Sequence, residues 1–181
     1  MISSSVRGER FSPIIAQWVT TALRGAESVN VDLIDLATIT LPDDGQLAPG
    51  GGPATEVADR IEAADAFVFV TPEYNHSIPA SLKRLIDWHY GQWMLKPALV
   101  VAYGVHGGHV AVEHLRGILA ELNMVTTRRC LGLPAPWNAL DESGRFAPDD
   151  AVGEALQSAV AELGWWAGVL ADARAHTPFP H

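Results

Sequence analysis

Six consecutive residues, Pro72-Glu73-Tyr74-Asn75-His76-Ser77, concentrate hydrogen-bonding side chains in one short segment. A carboxylate, a phenol, an amide, an imidazole and a hydroxyl in succession can grip a flat heterocycle along its edge. Just before them stands the apolar run Ala66-Phe67-Val68-Phe69-Val70, and after them Pro79 is placed to open a helix with Leu82, Leu85 and Ile86 on one face. Such a run fits a parallel strand covered on both faces better than a strand with one wet face. Polar loops at the carboxyl ends of these strands are where open α/β sheets bind ligands. The helix amides point to the same place, and a helix N-terminus would stabilise a ring that becomes anionic on two-electron reduction. A Ser77 cap with Pro79 at the first helical position accounts for the end of the segment. It leaves the four polar side chains from Glu73 to His76 unexplained.

Two other segments offer complementary chemistry. Gly104, Gly107 and Gly108 follow a second apolar run, Ala98 to Tyr103, and missing side chains there let a planar ring approach the backbone. The segment Ser3 to Arg10 supplies three hydroxyls, two guanidinium groups and the start of a helix, a set suited to a phosphate monoester. It matches neither glycine pattern of nucleotide-binding loops, and it reads equally well as a terminal segment followed by a Ser12 cap and Pro13. Metal chemistry is disfavoured: His106 and His109 form the closest histidine pair, and only Glu113 lies within a turn of them. Cys130 has no arginine five or six residues later, and no Gly-x-Ser-x-Gly elbow exists, so hydrolase readings lose support.

The elements that would position these groups alternate. A helix from Ser12 stops at Gly25, with Ile15, Trp18, Val19, Ala22 and Leu23 forming its stripe. Val29 to Leu36 reads as a strand, Thr38 to Pro53 as a long excursion and Ala54 to Ala64 as a short helix. After the Ala98 strand, Ala111, Leu115, Ile118 and Leu122 mark another helix. Met124 to Thr127 is expected to be the last strand, leading into a loop with Pro134, Pro136 and Trp137. Pro148-Asp149 opens the longest helix, with Val152, Leu156, Val160, Leu163, Ala167 and Leu170 in register. The expected architecture is a doubly wound parallel α/β sheet in three layers, one domain over residues 1–181.

Composition narrows the partners. A formal net charge of −9 argues against nucleic acid, and no apolar run approaches the roughly 20 residues of a membrane helix. No secretory signal is visible, and the single cysteine suits a reducing compartment, so the cytoplasm is expected. Trp88, Tyr90, Trp93 and Met94 form an aromatic patch. Trp165 and Trp166 are adjacent, and one helix face cannot bury both, so part of this set is expected in a subunit contact.

Thr71-Pro72-Glu73-Tyr74-Asn75-His76-Ser77-Ile78-Pro79, followed by Leu82-Lys83 and Asp87-Trp88, closely resembles the NADPH-dependent FMN reductase family of flavodoxin-like proteins. The likeness continues through Lys96-Pro97, Tyr103-Gly104, Gly107-Gly108 and Leu115-Arg116 to the Trp165-Trp166 helix. The resemblance implies bound FMN, NADPH or NADH as co-substrate, and a homodimer or homotetramer. It assigns the FMN phosphate to Ser5, Arg7 and Arg10. The isoalloxazine and ribityl chain fall to Pro72, Glu73, Tyr74, Asn75 and His76, with Tyr103 and Gly104 on the other side. Electrons would pass from nicotinamide through flavin to a quinone, azo compound, metal oxyanion or free flavin, with no acid or nucleophile from the protein. A flavodoxin-type FMN electron carrier and a flavodoxin-fold binding protein that has lost flavin are the alternatives. Two departures stand out: Ser4 occupies a position where the family usually has glycine, and the first strand is very short or truncated, with the rest lying upstream of Met1 or Met1 to Ser4 forming all of it.

Overall fold

Strand β3 (Phe67–Pro72) is buried along its whole length at the middle of the sheet. The computed structural model describes residues 1–25 and 29–180. Phe67 and Phe69 enter one hydrophobic cluster and Val68 and Val70 the other, as the two-residue period of a strand requires. In parallel with β3 runs β4 (Pro97–Gly104), in register from Phe67 opposite Ala98 to Pro72 opposite Tyr103. On its other side lies β1 (Ile2–Ser3), which also pairs with β2 (Ile34–Asp35). With β5 (Val125–Thr126) the order is β2-β1-β3-β4-β5, the flavodoxin-like arrangement. Helices α1 (Ser12–Arg24) and α5 (Asp150–His176) cover one face; α2 (Ala58–Ala63), α3 (Ala80–Trp88) and α4 (His109–Glu121) cover the other.

The first strand is indeed short, yet it fills the interior position between β2 and β3. The Met1 carbonyl accepts from Ile34, the Ser3 carbonyl from Leu36, and the Ser4 amide donates to Val70. Its shortness corrects the expectation for β2, because a neighbour can extend only as far as the ladder it joins. Of the expected Val29 to Leu36 strand, only Ile34–Asp35 pairs; Val29 and Leu33 are exposed, and Arg60 grips Asp32 and the Leu33 carbonyl.

A second correction concerns the far edge. The stretch expected as a Pro-rich loop contains β6 (Leu131–Pro134), which pairs with the second half of β4 while β5 pairs with the first. Between them the ladder breaks, and side chains satisfy the freed backbone groups. Arg116 donates to the carbonyls of Thr127 and Arg128, and Glu162 accepts from the amides of Arg128 and Arg129.

The aromatic patch is mostly core: Trp88 and Trp93 are buried, and Tyr90 lies at the rim. Trp88 Nε1 donates to the Pro53 carbonyl, and a Cβ on Gly52 would lie 2.3 Å from the Trp88 ring, so only glycine fits beneath it. Arg84 completes the strap, holding Asp44 and the Pro42 carbonyl, so α3 fixes the long excursion.

His89 closes this region. Its Nδ1 lies 2.9 Å from the Leu85 carbonyl, which can only accept, so Nδ1 carries the proton and Nε2 accepts from the Thr55 hydroxyl at 2.6 Å. Burial lowers its pKa below the ordinary 6.5. Above that value both folded and unfolded chains hold a neutral imidazole. As pH falls through it, the unfolded chain takes up a proton that the folded one resists, and stability is lost. Urea midpoints at pH 7.5 and 5.5 should diverge more for wild type than for His89→Gln; equal divergence would contradict this.

Candidate functional site

Loops 4–11, 73–79 and 105–108 meet beyond the carboxyl ends of β1, β3 and β4. The 73–79 loop leaves β3 under tight constraint. The Glu73 amide donates to the Tyr103 carbonyl at 2.8 Å, and Tyr74 and Ser77 exchange two backbone hydrogen bonds. The two residues between them, Asn75 and His76, have φ of 51° and 60°. That closes a two-residue turn in a left-handed conformation which asparagine tolerates and histidine adopts at some cost. Both side chains stand on the outside, His76 nearly fully exposed.

Tyr74 turns inward to the loop after β1. Its hydroxyl lies 2.8 Å from Ser5 Oγ, and the Arg7 guanidinium carbon is 3.7 Å from its ring centroid. The two arginines differ in kind. Arg10 is neutralised by Asp35 and also donates to the Ser5 carbonyl, so it braces the loop. Arg7 has no carboxylate partner among the described residues. Ser81, in the first turn of α3, donates to the Ser4 carbonyl at 2.7 Å and fastens the two loops a second time.

Helix α1 begins at Ser12 itself, with Phe11 at the N-cap position, no side-chain cap and no acid in the first turn. The expected Ser12 cap is therefore absent. Its hydroxyl instead meets Tyr103 Oη at 2.7 Å in a buried pair. Burial pushes the Tyr103 phenol up to about 12, so it stays neutral. Ser77 does not cap α3 either: Pro79 holds that position, and Ser77 Oγ sits 3.1 Å from His114 Nδ1.

The glycines divide by role. A Cβ on Gly104 would meet Glu73 Cβ at an ordinary 3.5 Å. Gly107 and Gly108 answer a backbone need, with φ of 89° and 77°. A Cβ on Gly108 would lie 2.8 Å from both Ala102 Cβ and the Tyr103 amide. Opposite them, Glu73 Oε2 accepts from the amides of Val110 at 3.0 Å and Ala111 at 3.2 Å. Among the described residues no group of three or more His, Cys, Asp or Glu could hold a metal ion.

The donors fit a phosphate-bearing cofactor. Ser3 and Ser4 bury hydroxyls without a partner directly ahead of the loop, α1 presents an uncapped N-terminus, and Arg7 carries an unneutralised charge. Hydroxyls, the positive end of a helix and a guanidinium together lack only an acceptor. The structure thus brings Ser5, Arg7 and Tyr74 into contact and seats Tyr103 and Gly104 beside Glu73; Asn75 and His76 turn outward, with His76 Nδ1 4.0 Å from Glu73 Oε1. Sequence reading missed Ser81 and the Ser12–Tyr103 pair, since a serine early in a helix carries no sign of what it faces.

A family model for NADPH-dependent FMN reductase matches residues 1–137. The chain is 38% identical over 141 residues to the NAD(P)H-dependent FMN reductase LOT6 of Saccharomyces cerevisiae, covering 68% of this chain and 74% of the yeast protein. It is 35% identical over 133 residues to a quinone reductase of Escherichia coli, covering 69% and 70%. Among solved structures, the flavoenzyme NAD(P)H:acceptor oxidoreductase FerB of Paracoccus denitrificans superposes with a TM-score of 0.75 at 26% identity, covering 93% and 95%. Motif, sheet order and overall likeness agree, and the chain belongs to the NADPH-dependent FMN reductase family of oxidoreductases.

Proposed function

We propose that the chain works as one FMN-binding domain that oxidises NADPH or NADH and reduces a small acceptor: a quinone, azo compound, metal oxyanion or free flavin. The observation that carries this reading is the Ser5–Tyr74–Arg7 bridge, which ties a phosphate-type donor set to the polar loop after β3. Ser5, Arg7 and the first turn of α1 would hold the phosphate, with Arg10 keeping that loop in shape. Pro72 to His76 would border the ring and ribityl chain, with Tyr103-Gly104 opposite. Bound FMN supplies hydride acceptance from nicotinamide and its onward delivery as electrons; the chain's own residues bind, orient and exclude water. The quinone reductase relative favours a quinone as acceptor. Among the described residues no helix is long and apolar enough to cross a membrane. The single cysteine suits a reducing compartment, and on that ground we place the protein in the cytoplasm. Steady consumption of NADPH with a quinone present tests the reading. A flavin-loaded protein that consumes none without a partner reductase is instead an electron carrier.

The reading includes self-association. Trp165 is 62% exposed and Val169 42% on the outer side of α5, and Gly164 and Gly168 beside them face open space. Such an apolar, uncharged patch supports a contact surface there. Light scattering at micromolar concentration should give a dimer or tetramer, and Trp165→Glu should lower that mass. A monomeric wild type would overturn the assignment.

A further inference from the structure

We infer that Glu73 is a positioning residue whose carboxylate clamps the first turn of α4, fixing the Gly104–Gly108 wall and cancelling the helix field at the flavin ring. The inference rests on the FMN reading above and adds a role for a side chain that does not itself need to touch the cofactor.

Glycine at the N-cap position of α4 has no side chain to satisfy the first helical amides, and the first turn contains no acid. Those amides would otherwise be orphans beside the site. Glu73 supplies the missing cap from another loop, accepting from Val110 and Ala111, the second and third helical residues, where an Asp or Ser at the N-cap would normally bond. Its own amide is fixed to the Tyr103 carbonyl, and its Cβ is the nearest neighbour that a Cβ on Gly104 would meet. One residue therefore grips β4 at its end through the main chain and α4 at its start through the side chain. The intervening turn, with two glycines at positive φ, has little rigidity of its own.

The clamp has an electrostatic consequence. An uncapped α4 would aim the positive end of its dipole into the crevice. The Glu73 carboxylate, only 16% exposed, stands there instead, with its other oxygen 4.0 Å from His76 Nδ1. Its negative charge opposes reduction of a flavin nearby and keeps the bound cofactor a strong electron donor.

Two variants separate holding from charge. Glu73→Gln keeps an acceptor for the amides but removes the charge; Glu73→Ala removes both. In Glu73→Ala, hydrogen exchange at the Val110 and Ala111 amides should accelerate and FMN should bind about tenfold more weakly, as loss of a charge-assisted hydrogen bond implies. In Glu73→Gln, exchange at these two amides should fall between wild type and the alanine variant, because a neutral acceptor remains, while the midpoint potential of bound flavin, measured by dye equilibration, moves to a more positive value. Unchanged exchange in the alanine variant overturns the clamp, and an unchanged potential in the glutamine variant overturns the electrostatic role. If the alanine variant does not fold, Glu73→Asp, whose shorter chain cannot span to α4, provides the exchange comparison. Wild-type protein that takes up no FMN would defeat the functional reading and the flavin half of this inference; amide exchange would still decide the clamp.

Discussion

Replacing Arg7 with alanine should weaken FMN binding about 30-fold, equivalent to about 2 kcal/mol, as read by quenching of flavin fluorescence on titration of apoprotein. The magnitude sits at the modest end for a charged contact because the arginine is exposed and water competes for it. The effect is nonetheless large because Arg7 is the guanidinium in this loop that no carboxylate neutralises, whereas Arg10 already serves Asp35. Tyr74→Phe gives a finer comparison: it leaves the ring beneath Arg7 but removes the hydroxyl beside Ser5, and should cost only a fewfold. Arg10→Ala should act mainly on stability, by freeing Asp35 and the loop carbonyl. Unaltered affinity in Arg7→Ala, with loss in Arg10→Ala, would reverse these assignments.

Gly108→Val should destabilise the fold by about 3 kcal/mol, combining about 1–2 kcal/mol for a left-handed branched residue with about 1–3 kcal/mol for overpacking. The crowding is against main chain: the added Cβ would meet the Tyr103 amide at 2.8 Å, and a backbone inside β4 cannot retreat. For a chain of this size a fall in Tm of about 6–12 °C follows. Gly117→Val offers a control, since open space surrounds that glycine in α4 and valine has the higher helix propensity, so no loss of stability is expected there. Equal losses at the two positions would show that the close approach at Gly108 is not what limits substitution there.

Much of this fold was legible because its centre is written in long, unambiguous runs. Phe67 to Val70 and Ala98 to Tyr103 are apolar at every position, which only strands covered on both faces require. The edges were less legible. The apolar side chains of Val31, Leu33, Ile34 and Leu36 suggest a longer β2, but the two-residue β1 limits the ladder that β2 can join. Leu131-Gly132-Leu133-Pro134 is too short and too close to proline to announce a strand; it forms because β4 still has open backbone there, and because Gly132 leaves room for the His109 ring.

The site was legible by residue type and not by direction. Ser5, Arg7 and Tyr74 could be picked out as polar groups in segments next to strands, whereas Tyr103 closes an apolar run and entered only through the family resemblance. That Tyr74 joins the phosphate-side loop, or that Glu73 turns to the amides of α4, depends on loop geometry that spacing does not encode. Ser12 and Ser77 carry the same lesson, since each stands where a helix cap belongs and each bonds across the site instead.

Flavin content after gentle purification tests the central claim most directly. The account predicts a yellow protein carrying about one FMN per chain, released on denaturation and identified by its mass. Colourless protein that gains no visible absorbance and quenches no flavin fluorescence when FMN is added would contradict it.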